Sequence, residues 1–200
     1  FVNNNDGSIL LARDRMGVKP LYYSIIEESD SVSLVFGSEI KFLTKFYISK
    51  PKINHDALLQ FFKYKYIVGE ETLVKNIKSL SPGSYVKSFN LNPKKLYINQ
   101  FFDITKVEPV KSNKNELQEK LLFSLKKSVH EQFQADAKVG LQISGGVDST
   151  IVASIASELN IRPHDTYFVS MKNSVHDEIE YAKCVAEKFK FSFNVVGLTE

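Results

Sequence analysis

The sequence predicts an α/β protein in two parts, with antiparallel strands first and the start of a doubly wound parallel sheet second. Two observations predict this. From residue 8 to about residue 36, short apolar runs alternate with turn chemistry and no helical period intervenes. From residue 113 onward, strand-length apolar runs alternate with helical periodicity, which is the pattern of a parallel sheet with right-handed crossovers. Composition agrees with a folded chain: 43% of the 200 residues are hydrophobic and 24% are charged.

Each element follows in order. Residues 8–13 read as a short apolar strand. Residues 14–20 are turn chemistry, because Gly17 takes positive φ and Pro20 disfavours helix at Lys19. Residues 21–26 and 32–36 are two further strands around a polar loop, and together these strands predict an antiparallel meander. Residues 54–66 read as a helix capped by Asn54, with Leu58, Phe61, Phe62 and Lys65 at helical spacing. Residues 80–85 are a turn leading into a strand, and residues 90–113 are rich in Asn, Lys and Pro. The domain boundary is expected there, giving domains of 1–108 and 109–200.

Asn113 and Glu116 have capping-box spacing. Leu117, Leu121, Leu125, Val129 and Phe133 then recur every four residues and predict an amphipathic helix. A strand at 139–143 leads into residues 144–148 and a helix at 149–159. A strand at 166–171, a helix at 177–189 and a strand at 191–198 follow, with Ile179, Ala182, Val185, Ala186 and Phe189 facing inward.

Charge and cysteine content exclude several functions. Lys and Arg number 26 against 23 Asp and Glu, and a net charge of +3 does not argue for nucleic acid. The one cysteine, Cys184, excludes an intrachain disulfide and a cysteine-rich zinc site. His55, His130, His164 and His176 lack metal spacing. No apolar run approaches the roughly 18 residues of a membrane span. Both ends look cut, so the chain is expected to be an internal piece of a longer protein, inactive by itself.

Ser144-Gly145-Gly146-Val147-Asp148-Ser149-Thr150 carries the chemistry. It lies between a strand and a helix N-terminus, where free N–H groups and the helix dipole favour an anion. Gly145 and Gly146 carry no Cβ, so phosphate oxygens approach the backbone closely. The hydroxyls of Ser144, Ser149 and Thr150 add donors. Asp148 repels phosphate unless a cation lies between them, so it is assigned to Mg²⁺. No Lys follows the glycines, which excludes the Gly-x-x-x-x-Gly-Lys loop, and the Gly-x-Gly-x-x-Gly dinucleotide pattern is absent.

Ser-Gly-Gly-x-Asp-Ser after a strand resembles the pyrophosphate loop of ATP pyrophosphatases. Residues 10–23 (LLARDRMGVKPLYY) and 36–41 (FGSEIK) resemble the later part of a class II glutamine amidotransferase domain. Residues 71–73, 77–85 and 177–182 also match glutamine-dependent asparagine synthetases in order. The chain is thereby identified as a member of that family. The resemblance implies the end of an αββα glutaminase domain followed by the start of a pyrophosphate-loop synthetase domain.

It also implies an activity. Aspartate would be activated by ATP as β-aspartyl-AMP and amidated by ammonia from glutamine, giving asparagine, AMP, pyrophosphate and glutamate. Residues 144–150 would bind the ATP phosphates, Gln142 and Ile143 would flank the nucleotide, and Val169 and Ser170 would offer main-chain groups to adenine. Asp148 would hold Mg²⁺ through pyrophosphate. The expected partners are glutamine, aspartate and ATP, with no nucleic acid or membrane, in a cytoplasmic enzyme that forms a homodimer. Other acceptors remain open (a sugar acid, a peptide or a lactam precursor), as does an inactive nucleotide-binding homologue. The glutaminase nucleophile of the family is an N-terminal Cys, which these residues do not include. Cys184 lies in a predicted helix with no activating partner and reads as a packed structural thiol. Arg13, Asp14 and Arg15 read as pins of the turn. Glu39 and Lys41 read as surface or interface charges, and the aromatic run at 61–66 reads as packing between domains.

Overall fold

The computed structural model describes residues 1–29, 31–47, 49–88, 95–171 and 178–198. His176, and Asp177 at the start of the matched stretch 177–182, lie outside the described residues. The chain divides into two units, Phe1–Pro109 and Val110–Glu200.

The first unit contains strands β1 (Val2–Asn3), β2 (Ser8–Ala12), β3 (Tyr22–Glu27) and β4 (Val32–Gly37). The helices α1 (Ile40–Leu43) and α2 (His55–Tyr64) follow, then β5 (Lys78–Ser79), β6 (Ser84–Ser88) and β7 (Tyr97–Gln100). They form two antiparallel sheets, with orders β1-β2-β6-β7 and β4-β3-β5. The expected meander therefore does not form, because β2 and β3 belong to different sheets. Strand β2 finds its partner far along the chain, with Leu11 opposite Val86. Leu11 and Val86 of one sheet and Tyr23 of the other share a buried cluster with Leu80, so one core serves both sheets.

The turn between β2 and β3 carries the chain from sheet to sheet. The Arg13 guanidinium donates to Leu80 O at 2.6 Å, Gly17 O at 2.9 Å, and Lys19 O and Ser79 Oγ at 3.2 Å. The Asp14 carboxylate accepts from the N–H groups of Met16, Val18 and Lys19. These bonds, that from Val18 foremost, hold its carboxyl below the ordinary aspartate range. Gly17 has φ +65°, and a Cβ there would lie 2.8 Å from Pro82 Cγ. The Arg15 guanidinium lies 5.4 Å from the Phe102 ring centre. All three charged residues thus pin this turn.

Helix α2 begins at its expected cap, the Asn54 side chain accepting from Ala57 N–H. It stops before Lys65, which takes a left-handed φ of +65°. Phe61, Phe62, Tyr64 and Tyr66 stay exposed on this unit.

The second unit opens with α3 (Lys114–Gln132), whose Asn113 cap accepts from Glu116 N–H. Then come β8 (Leu141–Gln142), α4 (Val147–Glu158), β9 (Thr166–Met171), α5 (Ile179–Phe189) and β10 (Asn194–Leu198). The strands form a parallel sheet of order β8-β9-β10. Each crossover advances one strand in the same direction. Right-handed connections then put α4 and α5 on one face, where they pack together. Ile143, Phe168, Ala182 and Ala186 form the core beneath that face, while Tyr167 and Val169 point to the other side and are exposed.

Helix α3 buries only its second half, where Val129 joins Ile155 and Ala156. Leu117 and Leu121, at 40% and 60% exposure, have no cover within this unit. The thiol of Cys184 is exposed rather than packed. It lies two residues, about 200° of helical rotation, from the buried Ala182. Three boundaries also differ from expectation: β8 keeps two residues, α4 starts at Val147, and residues 191–193 precede β10 while Phe191 and Phe193 pack on the core. No helix among the described residues is long and apolar enough to cross a membrane.

Candidate phosphate-binding site

Residues 144–150 sit beyond the carboxyl end of β8, the position where open α/β sheets bind ligands. Ile143 is fully buried, and its N–H donates to Tyr167 O at 2.9 Å. That bond fixes where the chain leaves the sheet. Gln142, next to it, is exposed.

Gly145 then reverses the chain with φ +81°. Its missing side chain is required twice over. Positive φ strains any Cβ, and a Cβ here would lie 2.6 Å from Tyr181 Cβ and 2.9 Å from Ala182 N. Gly146 is the N-cap of α4, with extended backbone and no capping side chain. Val147 and Asp148 therefore belong to the first turn of the helix. The Thr150 N–H closes that turn on Gly146 O at 3.1 Å. The N–H groups of Val147, Asp148 and Ser149 have no helical acceptor, which is the arrangement that favours an anion.

Ser149 Oγ donates to Gly146 O at 3.2 Å, and Thr150 Oγ1 donates to the same carbonyl at 2.8 Å. Ser144 Oγ and Ser149 Oγ are 3.0 Å apart and share a hydrogen bond. Ser144 Oγ also accepts from Gly146 N–H at 3.3 Å, and Ser149 Oγ accepts from Ser144 N–H at 3.2 Å. All three hydroxyls make hydrogen bonds inside the loop. These bonds hold the shape of the loop, and its first-turn main-chain N–H groups add further donors.

Val147 and Asp148 are exposed at the mouth of the loop. A carboxylate beside unsatisfied N–H groups suits a hard divalent ion shared with phosphate oxygens, so the donor set fits Mg²⁺. Among the described residues no cluster of His, Cys, Asp or Glu forms a metal site by itself. His55 and His130 lie apart in different units, and His164 Nδ1 lies 2.7 Å from Asp165 Oδ2.

The structure separates Val169 from Ser170. Asp165 O and Tyr167 O accept bonds from β8, so odd residues of β9 turn their peptide groups toward that strand. By this alternation Val169 faces the gap beyond the end of β8, beside the loop. Ser170 turns its peptide groups toward β10, opposite Gly197, and its side chain is 8% exposed. Tyr181 and Ala182 border the loop at Gly145, a proximity that only the packing of α5 creates.

Residues 1–101 match the family model described as a glutamine amidotransferase domain, and residues 120–200 match the one described as asparagine synthase. The chain belongs to the glutamine-dependent asparagine synthetase family. It is a glutamine amidotransferase domain followed by the start of an asparagine synthase domain. Asparagine synthetase 1 (glutamine-hydrolysing) of Bacillus subtilis is 28% identical over 181 residues, covering 90% of this chain and 27% of that protein. Asparagine synthetase 2 (glutamine-hydrolysing) of the same organism is 28% identical over 204 residues, covering 92% of this chain and 25% of its own length. The chain thus spans about a quarter of the length of these relatives.

Proposed function

We propose that the protein is a glutamine-hydrolysing asparagine synthetase, which adenylates aspartate with ATP and amidates it with glutamine-derived ammonia. The observation that carries this reading is the loop at 144–150, with three unpaired first-turn N–H groups at the carboxyl end of a parallel strand. The glutamine amidotransferase domain in the same chain supports ammonia as the nucleophile.

In this reading the N–H groups of Gly145, Val147, Asp148 and Ser149 hold phosphate oxygens of ATP, and the helix dipole adds to their pull. Gln142 and Ile143 flank the nucleotide, and Val169 offers main-chain groups to adenine. Ser144, Gly146 and Thr150 keep the loop in shape, and Ser170 supports β9 beside it. The Asp148 carboxylate would hold Mg²⁺ beside the bound phosphates. When bound, Mg²⁺ neutralises the negative charge that builds on pyrophosphate as it leaves. Adenylation gives the poorly electrophilic carboxylate a good leaving group, and ammonia then displaces AMP. The reaction draws on cytoplasmic glutamine, aspartate and ATP.

The test uses the full-length protein with glutamine, ATP, Mg²⁺ and a panel of carboxylates. Aspartate-dependent release of AMP and pyrophosphate is expected. Asp148→Asn should lower that rate at least about a hundredfold while leaving glutamine hydrolysis intact. AMP release that requires another carboxylate and ignores aspartate overturns the reading.

A further inference from the structure

The hydroxyls of the loop at 144–150 bond to each other and to Gly146 O, and a phosphate held there would take a further side-chain donor. The residue standing closest to Gly145 offers one. A Cβ on Gly145 would fall 2.6 Å from Tyr181 Cβ and 3.1 Å from Tyr181 C. The next residue, Ala182, is fully buried, and its N–H is tied to Glu178 O at 3.1 Å. The backbone of Tyr181 is therefore fixed against the tightest point of the loop.

The side chain is treated quite differently. Tyr181 is 70% exposed. Among the described residues its phenol has no hydrogen-bond partner and its ring has no aromatic partner. The fold thus fixes the base of a long donor side chain beside unpaired N–H groups and leaves its tip in solvent. A phenol rooted at that Cβ is long enough to reach over the loop, and O–H to phosphate is a charge-assisted bond.

We propose that Tyr181 is a substrate-contact residue of the adenylation site, its O–H donating to a phosphate oxygen of the ATP held by residues 144–150. This rests on the phosphate-loop reading above. It assigns a role in the site to a residue of α5, outside the loop, and it gives Gly145 a second purpose: a side chain there would push Tyr181 away.

The experiment measures Mg-ATP binding by the full-length protein and its Tyr181→Phe variant. The variant keeps the ring and loses only the donor. Binding is expected to weaken about tenfold to a hundredfold, with the melting temperature unchanged. In parallel, nitration of Tyr181 by tetranitromethane is followed by peptide mapping, with and without a non-hydrolysable Mg-ATP analogue. Protection by the nucleotide is expected, and this readout stands even if the variant fails to fold. Equal binding by the variant, or nitration indifferent to nucleotide, overturns the role of Tyr181 alone. A wild-type protein that binds no Mg-ATP overturns the phosphate-loop reading, and the present proposal with it.

Discussion

Gly145→Ala is the substitution that most directly tests the architecture of the site. The added Cβ would lie 2.6 Å from Tyr181 Cβ, 2.9 Å from Ala182 N and 3.1 Å from Tyr181 C. Two of these three atoms are helix backbone, and Ala182 is fully buried, so the neighbour cannot swing aside as a flexible side chain would. Overpacking of this kind costs about 1–3 kcal/mol. The φ of +81° adds a left-handed penalty of about 1–2 kcal/mol for a residue with a Cβ. The expected loss is therefore about 2–5 kcal/mol, taken either as lower stability of the second unit or as a displaced loop. Gly146→Ala is the control. There φ is −71°, and the only close atom is Ser144 Oγ at 3.3 Å, so its cost should stay below about 1 kcal/mol. Urea denaturation and Mg-ATP calorimetry of the two full-length variants read both outcomes. A Gly145→Ala protein that matches wild type in stability and in nucleotide affinity refutes the geometry from which these costs are worked.

Two further predictions concern the turn between the sheets. Arg13→Lys should destabilise the first unit by about 1–3 kcal/mol in urea denaturation, because a single ammonium cannot reproduce the fork that reaches Leu80 O, Gly17 O and Lys19 O; no change in midpoint would remove Arg13 from its pinning role. Asp14 should titrate below the 3.8 of an unperturbed aspartate when its carboxyl carbon is followed by NMR. Its depressed value means that its contribution is present above the unfolded carboxylate's pKa and is lost as pH falls through the folded one, so Asp14→Asn should flatten the acid limb of the stability profile.

Local chemistry was legible in the chain wherever a short stretch settles its own conformation. Asn54 and Asn113 cap their helices because the cap needs only a side-chain oxygen and an N–H three residues on. Gly17 takes positive φ because the bonds Asp14 makes require a tight turn. The two glycines after a buried apolar strand announced a tight turn into a helix for the same reason. Pairing at a distance could not be read this way. Strand β2 joins β6 across more than seventy residues, and apolar alternation does not say which strand will lie alongside. The exposure of Cys184 was set by which face of α5 the sheet covers, and that depends on the small residues Ala182 and Ala186 fitting the core. What the amino-acid order decides here is residue type and local turn, through steric and hydrogen-bonding rules that act over a few residues. Tertiary packing alone decides that Tyr181 stands against Gly145, because that depends on how closely separately formed elements approach.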